Sequence, residues 1–158
     1  MIVSSTQTPK RELVQALVAC KQLRDVIDRV PKIDPFSKEG KTIEAPRGAI
    51  EICDVAFAYP AAPDVVVCEG YSLSIGAGQT VALCGQSGSG KSTIIQLIER
   101  FYDPMSGQVL FDGVDIKTLN VKWLRAQLGY VGQEPVLFNG TVRANIGYGK
   151  PGGGATQE

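Results

Sequence analysis

Apolar residues recur every three or four positions along residues 10–30, and basic side chains occupy much of the remaining surface. The apolar positions are Leu13, Leu17, Cys20, Ile27 and Val30, with Leu23 and Val26 on the flank. This spacing predicts an amphipathic helix. Thr8 and Pro9 suit its N-cap and first turn, and Pro31 is expected to end it. The pattern leaves open whether the helix packs on its own core or docks as a connector on another structure.

The alternation of apolar and polar residues changes to a period of two beyond residue 48. Residues 31–48 are rich in proline, glycine and charge, which is typical of an extended linker. Residues 50–52 and 55–59 then alternate in opposite phases, so two strand segments joined by a β-bulge are expected. Residues 65–68 and 71–75 predict two further strands.

The second half of the chain mixes short apolar runs with helical spacing. Residues 79–84 are interpreted as a buried strand, and residues 93–100 as a helix with Ile94, Leu97 and Ile98 on one face. Four more elements follow from the same patterns. They are a strand at 108–111, a helix at 121–128, a short strand at 128–132 and a helical turn at 141–146.

A glycine-rich loop joins the strand 79–84 to the helix 93–100 and fits the pattern G-x-x-x-x-G-K-[ST]. Its residues are Gly85, Gln86, Ser87, Gly88, Ser89, Gly90, Lys91 and Ser92. Glycine permits backbone angles that let successive N–H groups surround an anion. In such a P-loop, Lys91 would meet the β- and γ-phosphates and Ser92 would bind Mg²⁺. The alternative, a linker that matches by chance, does not account for the flanking strand and helix.

An apolar run that ends in an aspartate could also supply a second magnesium carboxylate, as in a Walker B motif. Residues 108–111 end in this way at Asp112. However, Asp112 is followed by Gly113 and a short apolar return, which is the strongest short signal for a β-hairpin. We therefore predict a hairpin at Asp112-Gly113.

Composition excludes several classes of function. The 158 residues carry sixteen basic and sixteen acidic side chains, so no net positive field favours nucleic acid. The chain has no histidine, which excludes a histidine general base. Its apolar runs are too short for a membrane span, and no secretory signal is expected at the N-terminus. The four cysteines lack metal-site spacing and are interpreted as reduced thiols in apolar positions.

Five segments outside the loop narrow the class of P-loop protein. They are Phe57-Ala58-Tyr59-Pro60 and the stretches 26–34, 99–104, 113–116 and 131–146. Together with the loop, they resemble the nucleotide-binding domain of an ABC transporter, in particular of multidrug-resistance (P-glycoprotein-like) exporters. The resemblance covers roughly residues 19–158.

The resemblance implies roles for three further residues. Tyr59 would stack on adenine, an interaction worth about 1–3 kcal/mol per base. Gln133 would be the Q-loop glutamine, a catalytic-site residue that contacts Mg²⁺ and senses the membrane domains. Thr93 would hydrogen-bond the α-phosphate. The residues alone permit plainer interpretations: a strand tyrosine, a solvated loop glutamine and a helix-capping threonine.

The fold class expected from the resemblance is α/β: a P-loop NTPase core with an antiparallel β subdomain, truncated before the helical subdomain. The expected organisation is a connector helix at 1–30, a linker at 31–48 and a partial ATP-binding domain at 49–158. The cofactors would be ATP and Mg²⁺. The partners would be transmembrane domains and a second nucleotide-binding domain, with this domain on the cytosolic side of the membrane.

The chain departs from the family pattern in ways that affect catalysis. It contains no Leu-Ser-Gly-Gly-Gln signature, no Walker B aspartate followed by a glutamate, and no switch histidine. We therefore expect MgATP binding without turnover by this chain alone. Two alternatives stay open. One is a non-catalytic fragment that pairs with a full-length transporter, and the other is a different P-loop class, such as a small GTPase or a nucleoside kinase.

Overall fold

A computed structural model describes residues 7–134 and 136–149, with side chains from Lys10 onward. The chain divides into two units, Met1–Asp34 and Pro35–Glu158. In the first unit, helix α1 spans Gln7–Ile27. The predicted helix is confirmed, but Thr8 lies inside it and does not cap it, and the helix ends before Val30. No helix of the described residues is both long and apolar enough to cross a membrane.

The second unit is built on a four-stranded antiparallel sheet with the order β2-β1-β3-β4. The strands are β1 (Ile50–Ala58), β2 (Val66–Ile75), β3 (Ser106–Phe111) and β4 (Val114–Asp115). This confirms an α/β chain with an antiparallel β region. The two strands predicted at 65–68 and 71–75 form one continuous strand, β2.

The predicted β-bulge lies in β1. The pairing of β1 with β2 shifts register between Ile52 and Val55, and Asp54 adopts a left-handed backbone with φ 49°. Gly107 of β3 crosses directly against the bulge, so closely that a Cβ would overlap the carbonyl oxygens of Cys53 and Asp54. The bulge lets Ile52, Val55 and Phe57 all turn into the core, where each is at most 2% exposed.

The predicted hairpin at Asp112-Gly113 is confirmed, since Phe111 pairs with Val114 and the two turn residues have φ 50° and 78°. The Asp112 carboxylate accepts three backbone hydrogen bonds from the segment before β1. The donors are the N–H groups of Arg47 at 2.6 Å, Gly48 at 3.1 Å and Ala49 at 2.8 Å. This carboxylate therefore joins the hairpin to the start of β1.

Asp112→Asn is expected to lower the free energy of unfolding by about 1–2 kcal/mol at pH 7, because the amide cannot accept all three hydrogen bonds. Partial burial raises the pKa of Asp112, but the backbone N–H groups and Arg47 outweigh it and lower the pKa below its usual 3.8. A lowered pKa in the folded state stabilises above the unfolded pKa, and that contribution is lost as the pH falls through the folded value. Urea unfolding should show the difference between wild type and variant intact at pH 5–7 and shrinking below about pH 4.

The exposed Asp64 provides the control for this measurement. Asp64→Asn should leave the free energy of unfolding within about 0.5 kcal/mol of wild type. A wild-type advantage over Asp112→Asn that persists unchanged down to pH 2 would contradict the role given to the carboxylate.

The described part of this unit also contains three short α-helices: α2 (Lys91–Ile98), α3 (Val121–Ala126) and α4 (Val142–Gly147). Helix α3 is capped by Asn120, whose side-chain oxygen accepts from the Trp123 N–H, and α4 is capped in the same way by Thr141. The helices predicted at 93–100, 121–128 and 141–146 are thus confirmed with shifted ends.

Helix α2 and the segment 116–124 cover one face of the sheet. The most deeply buried side chains come from all of these elements and form one cluster. They are Ile52, Val55, Phe57, Ile94, Leu97, Val109, Phe111, Ile116, Leu119 and Leu124. Because Ile94 and Leu97 are at most 4% exposed, they anchor α2 to the sheet, and the N-terminal end of α2 carries the glycine-rich loop.

Two predicted strands do not form. Residues 79–84 and 128–132 have no strand structure, and Val81 and Val131 are 42% and 94% exposed. A strand requires hydrogen-bond partners for its backbone, and no described segment pairs with either run. The predictions of a buried strand at 79–84 and of a short strand at 128–132 are therefore wrong for this structure.

The segment before β1 is also attached at a second point. Lys41 exchanges two backbone hydrogen bonds of 2.9 Å, one with Thr118 and one with Asn120. The Asn120 side-chain amide donates to the carbonyl oxygens of Ser37 at 3.1 Å and Glu39 at 2.8 Å. Residues 37–41 are therefore held against the end of the 3-10 turn Ile116–Thr118 and the start of α3.

Candidate nucleotide-binding site

The glycine-rich loop takes backbone conformations that only glycine adopts readily. Gly88 and Gly90 have φ 81° and 84°, and Gly90 is the N-cap of α2. A Cβ on Gly85 would come within 2.7 Å of the Ser89 Oγ. The loop therefore closes on itself at a helix N-terminus, where backbone N–H groups and the helix dipole favour an anion.

The Lys91 side chain folds back over the loop. Its Nζ donates to the carbonyl oxygens of Gly85 at 2.9 Å and Gln86 at 2.6 Å, and lies 3.2 Å from the Ser89 Oγ. The ammonium group is thus held at the mouth of the loop by three neutral acceptors. A phosphate oxygen would be a stronger partner than any of them, since its negative charge adds a Coulomb attraction to the ammonium group that a neutral oxygen lacks.

The donor set of the loop fits a magnesium-bound phosphate. Ser92 lies in the first turn of α2 with its side chain exposed, so its hydroxyl can reach a hard cation next to the phosphates. Gln86, Ser87 and Gly88 are also exposed and offer no carboxylate that would repel an anion. The residues present therefore suit a nucleotide phosphate and Mg²⁺.

A cavity of about 300 Å³ adjoins the loop on the side of β2. Ser89, Gly90 and Lys91 line it from the loop, and Cys68 and Tyr71 line it from β2. Burial raises the pKa of the Cys68 thiol, and a backbone hydrogen bond with Phe57 opposes that effect only in part. The thiol therefore stays neutral at pH 7 and adds no negative charge beside the Lys91 ammonium group.

Tyr59 lies at the end of β1, half-buried in a group of aromatic rings. Its ring centroid is 5.0 Å from that of Phe57 and 5.3 Å from that of Tyr102, and both contacts are edge-to-face. Its hydroxyl is 2.8 Å from the Thr93 Oγ1. The structure therefore brings the Tyr59 hydroxyl against the start of α2. The contact is with Thr93, which lies two residues beyond Lys91 in sequence.

Gln96 was missed by the sequence analysis. Its Oε1 accepts a hydrogen bond of 2.9 Å from the Tyr59 hydroxyl. Thr93, 4% exposed, and Gln96 lie three residues apart and therefore on the same side of α2. A half-buried tyrosine hydroxyl requires a polar partner. The three-residue spacing of Thr93 and Gln96 on α2 was the feature of the sequence that could have identified Gln96 as that partner.

Gln133 does not line the cavity beside the loop. It lies in an exposed stretch beside a second depression of about 410 Å³, whose lining includes Tyr130, Val131 and Tyr148 but neither Gln133 nor Lys91. The structure thus brings Tyr59 and Thr93 together, and it does not place Gln133 in the cavity that Lys91 lines.

Comparisons with known proteins agree on one family. The family model described as ABC transporter matches residues 68–158, more than half of the chain. The chain is 52% identical over 155 residues to ABC transporter B family member 21 of Arabidopsis thaliana. It is 55% identical over 134 residues to multidrug resistance protein homolog 65 of Drosophila melanogaster. It is also 48% identical over 149 residues to ATP-binding cassette sub-family B member 5 of Homo sapiens. The matches cover 98%, 84% and 94% of this chain, but only 12%, 10% and 12% of those relatives.

The fold is shared with a solved transporter. The structure of a bacterial Atm1-family ABC exporter with ATP bound superimposes with a TM-score of 0.78 at 37% sequence identity, covering 90% of this chain and 24% of that one. The family match, the relatives in subfamily B and the shared fold give one consistent result: this chain belongs to the ABC transporter family and corresponds to part of its nucleotide-binding domain.

Proposed function

We propose that this chain is the MgATP-binding part of an ABC-type exporter, in which ATP binding and hydrolysis drive transport across a membrane. By itself it would hold MgATP without turning it over. The phosphates would lie in the loop 85–92, with Lys91 at the β- and γ-phosphates and Ser92 at Mg²⁺. Adenine would stack on Tyr59.

The observation that carries this proposal is the position of the Lys91 ammonium group. It rests on the carbonyl oxygens of Gly85 and Gln86, at the N-terminal end of α2 and over a loop whose glycines leave room for an anion. Phosphate would replace these neutral acceptors with charged ones. Mg²⁺ would neutralise part of the phosphate charge, and Ser92 would help hold it.

Turnover requires more than this site. In P-loop enzymes, catalysis is mostly positioning and charge stabilisation around the transferred phosphoryl group. The loop would supply the phosphate cradle, but Gln133 does not line the cavity beside it, and the printed sequence contains no Leu-Ser-Gly-Gly-Gln motif. We therefore expect a second nucleotide-binding domain and the remaining parts of a transporter to complete the catalytic site.

Exposed apolar side chains near Gln133 support the proposed partners. Residues 130–148 leave a set of large apolar side chains more than half exposed. They are Tyr130, Val131, Val136, Leu137, Phe138, Val142, Ile146 and Tyr148. Clusters of this kind mark interaction surfaces on soluble domains. The transmembrane domains of a transporter would cover this surface and place the chain on the cytosolic side of the membrane. The second candidate role is that of a non-catalytic fragment that pairs with a full-length transporter through this surface.

Lys91→Ala is expected to weaken binding of a fluorescent ATP analogue with Mg²⁺ about 10- to 100-fold, because it removes the charged donor to the phosphates. Tyr59→Ala should weaken binding through loss of the stacking surface, by up to about 100-fold. Equilibrium titration of the purified chain measures both effects, with phosphate release followed in parallel.

Lys122→Ala, which removes an exposed lysine on α3, is the matched control and should bind like wild type. Phosphate release that Lys91→Ala abolishes would show that the chain completes its own catalytic site, against the proposal. A folded wild-type chain that binds no ATP analogue would overturn the proposed site.

A further inference from the structure

The Tyr59 hydroxyl joins two side chains of α2. It lies 2.8 Å from the Thr93 Oγ1 and 2.9 Å from the Gln96 Oε1. Thr93 is buried and Gln96 is half-buried, so these hydrogen bonds are partly shielded from water. The tyrosine that we propose for adenine is thus tied directly to the helix that carries the phosphate loop.

The directions of these hydrogen bonds follow from counting hydrogens. The amide oxygen of Gln96 can only accept, so the Tyr59 hydroxyl donates its single hydrogen to Gln96. Toward Thr93, the Tyr59 oxygen can then only accept, and the Thr93 hydroxyl must donate. The Tyr59 hydroxyl is thus held by two side chains of α2, as a donor to Gln96 and as an acceptor from Thr93.

The ring contacts complete the support of Tyr59. Phe57 and Tyr102 meet its ring edge-to-face and fix its position, while Thr93 and Gln96 fix the hydroxyl end. A ring held by two aromatic neighbours and by its hydroxyl loses little further freedom when a base stacks on it. Such preorganisation raises affinity by lowering the entropy cost of binding.

We propose that Thr93 and Gln96 are positioning residues that orient the Tyr59 ring for adenine. The inference rests on the proposed function, because it concerns the base end of the same MgATP site. It makes base recognition dependent on two residues of the phosphate-loop helix.

The test separates base binding from phosphate binding. Calorimetric titration of the full chain with MgATP and with magnesium tripolyphosphate gives both affinities. Thr93→Val, Gln96→Leu and Tyr59→Phe should each weaken MgATP binding about three- to ten-fold and leave tripolyphosphate binding unchanged. The midpoint of urea unfolding is first measured for each variant and compared with that of wild type, to establish that the variant folds. If Thr93→Val does not fold, Tyr59→Phe, which removes only the hydroxyl, decides the test.

Two variants make the result specific to this network. Gln96→Glu keeps an acceptor for the Tyr59 hydroxyl, so the ratio of the two affinities should stay at the wild-type value even if the added charge weakens both. Gln127→Leu, at an exposed glutamine just after α3, should change neither affinity.

The outcomes distinguish this inference from the proposed function. A loss of tripolyphosphate affinity in Thr93→Val equal to its loss of MgATP affinity would show that the hydroxyl binds phosphate and would overturn the inference. Unchanged MgATP binding in Gln96→Leu and Tyr59→Phe would also overturn it. If wild type binds both ligands and Lys91→Ala weakens both, the proposed function stands whatever these variants do; if wild type binds neither, both ideas fail.

Discussion

Gly107→Ala is expected to lower the free energy of unfolding by about 2–5 kcal/mol. A left-handed backbone costs alanine about 1–2 kcal/mol, and forcing a methyl group into packed structure costs about 1–3 kcal/mol more. Gly107 has φ 77°, and its new Cβ would overlap the backbone carbonyl oxygens of Cys53 and Asp54 at the bulge. Urea unfolding monitored by Trp123, the single tryptophan, measures the change.

Gly113 provides a close control because its φ of 78° is nearly the same, while a Cβ there meets no atom within 4 Å. Gly113→Ala should therefore cost only the conformational part, about 1–2 kcal/mol. Equal losses in the two variants would show that the backbone angle alone matters and that the close crossing at the bulge does not.

Leu97→Ala is expected to cost about 2–5 kcal/mol, the range for truncating a fully buried leucine. Leu97 is 0% exposed and packs α2 onto the sheet, so the variant loses apolar burial and leaves a cavity behind the helix that carries Lys91. The midpoint of urea unfolding should fall while the dependence on urea concentration stays the same.

Ile95, two residues earlier on α2 and 42% exposed, tests whether burial is the cause. Ile95→Ala should cost less than about 1 kcal/mol, because most of its side chain is not packed against the core. If the two truncations destabilise equally, the face of α2 assigned to the core is wrong.

The features that sequence predicted well are those whose cause is local. The Asp112-Gly113 hairpin needs two residues that accept positive φ, and the change of phase at Cys53-Asp54 marks the bulge directly. The apolar face of α2 follows from the spacing of Ile94 and Leu97. In each case a few neighbouring residues contain the whole signal.

The failed strand predictions have a non-local cause. An apolar run can be buried as a strand only where another segment supplies hydrogen-bond partners, and this information is not in the run itself. Residues 79–84 and 128–132 carry the composition of strands, yet no described segment pairs with them. Composition reports what a segment could bury, and pairing decides whether it does.

The candidate site likewise combines features that have a local cause in the sequence with features that have a non-local cause. The loop and Lys91 follow from one contiguous motif, and the structure places the ammonium group over that loop. The contacts of Tyr59 with Thr93 and Gln96 span 34 and 37 residues of sequence, so no local pattern could specify them. These contacts form only when the end of β1 folds against α2.

The two attachments of the segment before β1 have a mechanical consequence. Tension applied to the chain near residue 36 would first load the hydrogen bonds of Asn120 with Ser37 and Glu39, and then the pair between Lys41 and the end of the 3-10 turn. Only after these failed would the load reach the Asp112 carboxylate and the first residue of β1. A pull from the N-terminal side is therefore delivered first to the turn before α3, and the sheet is shielded from it.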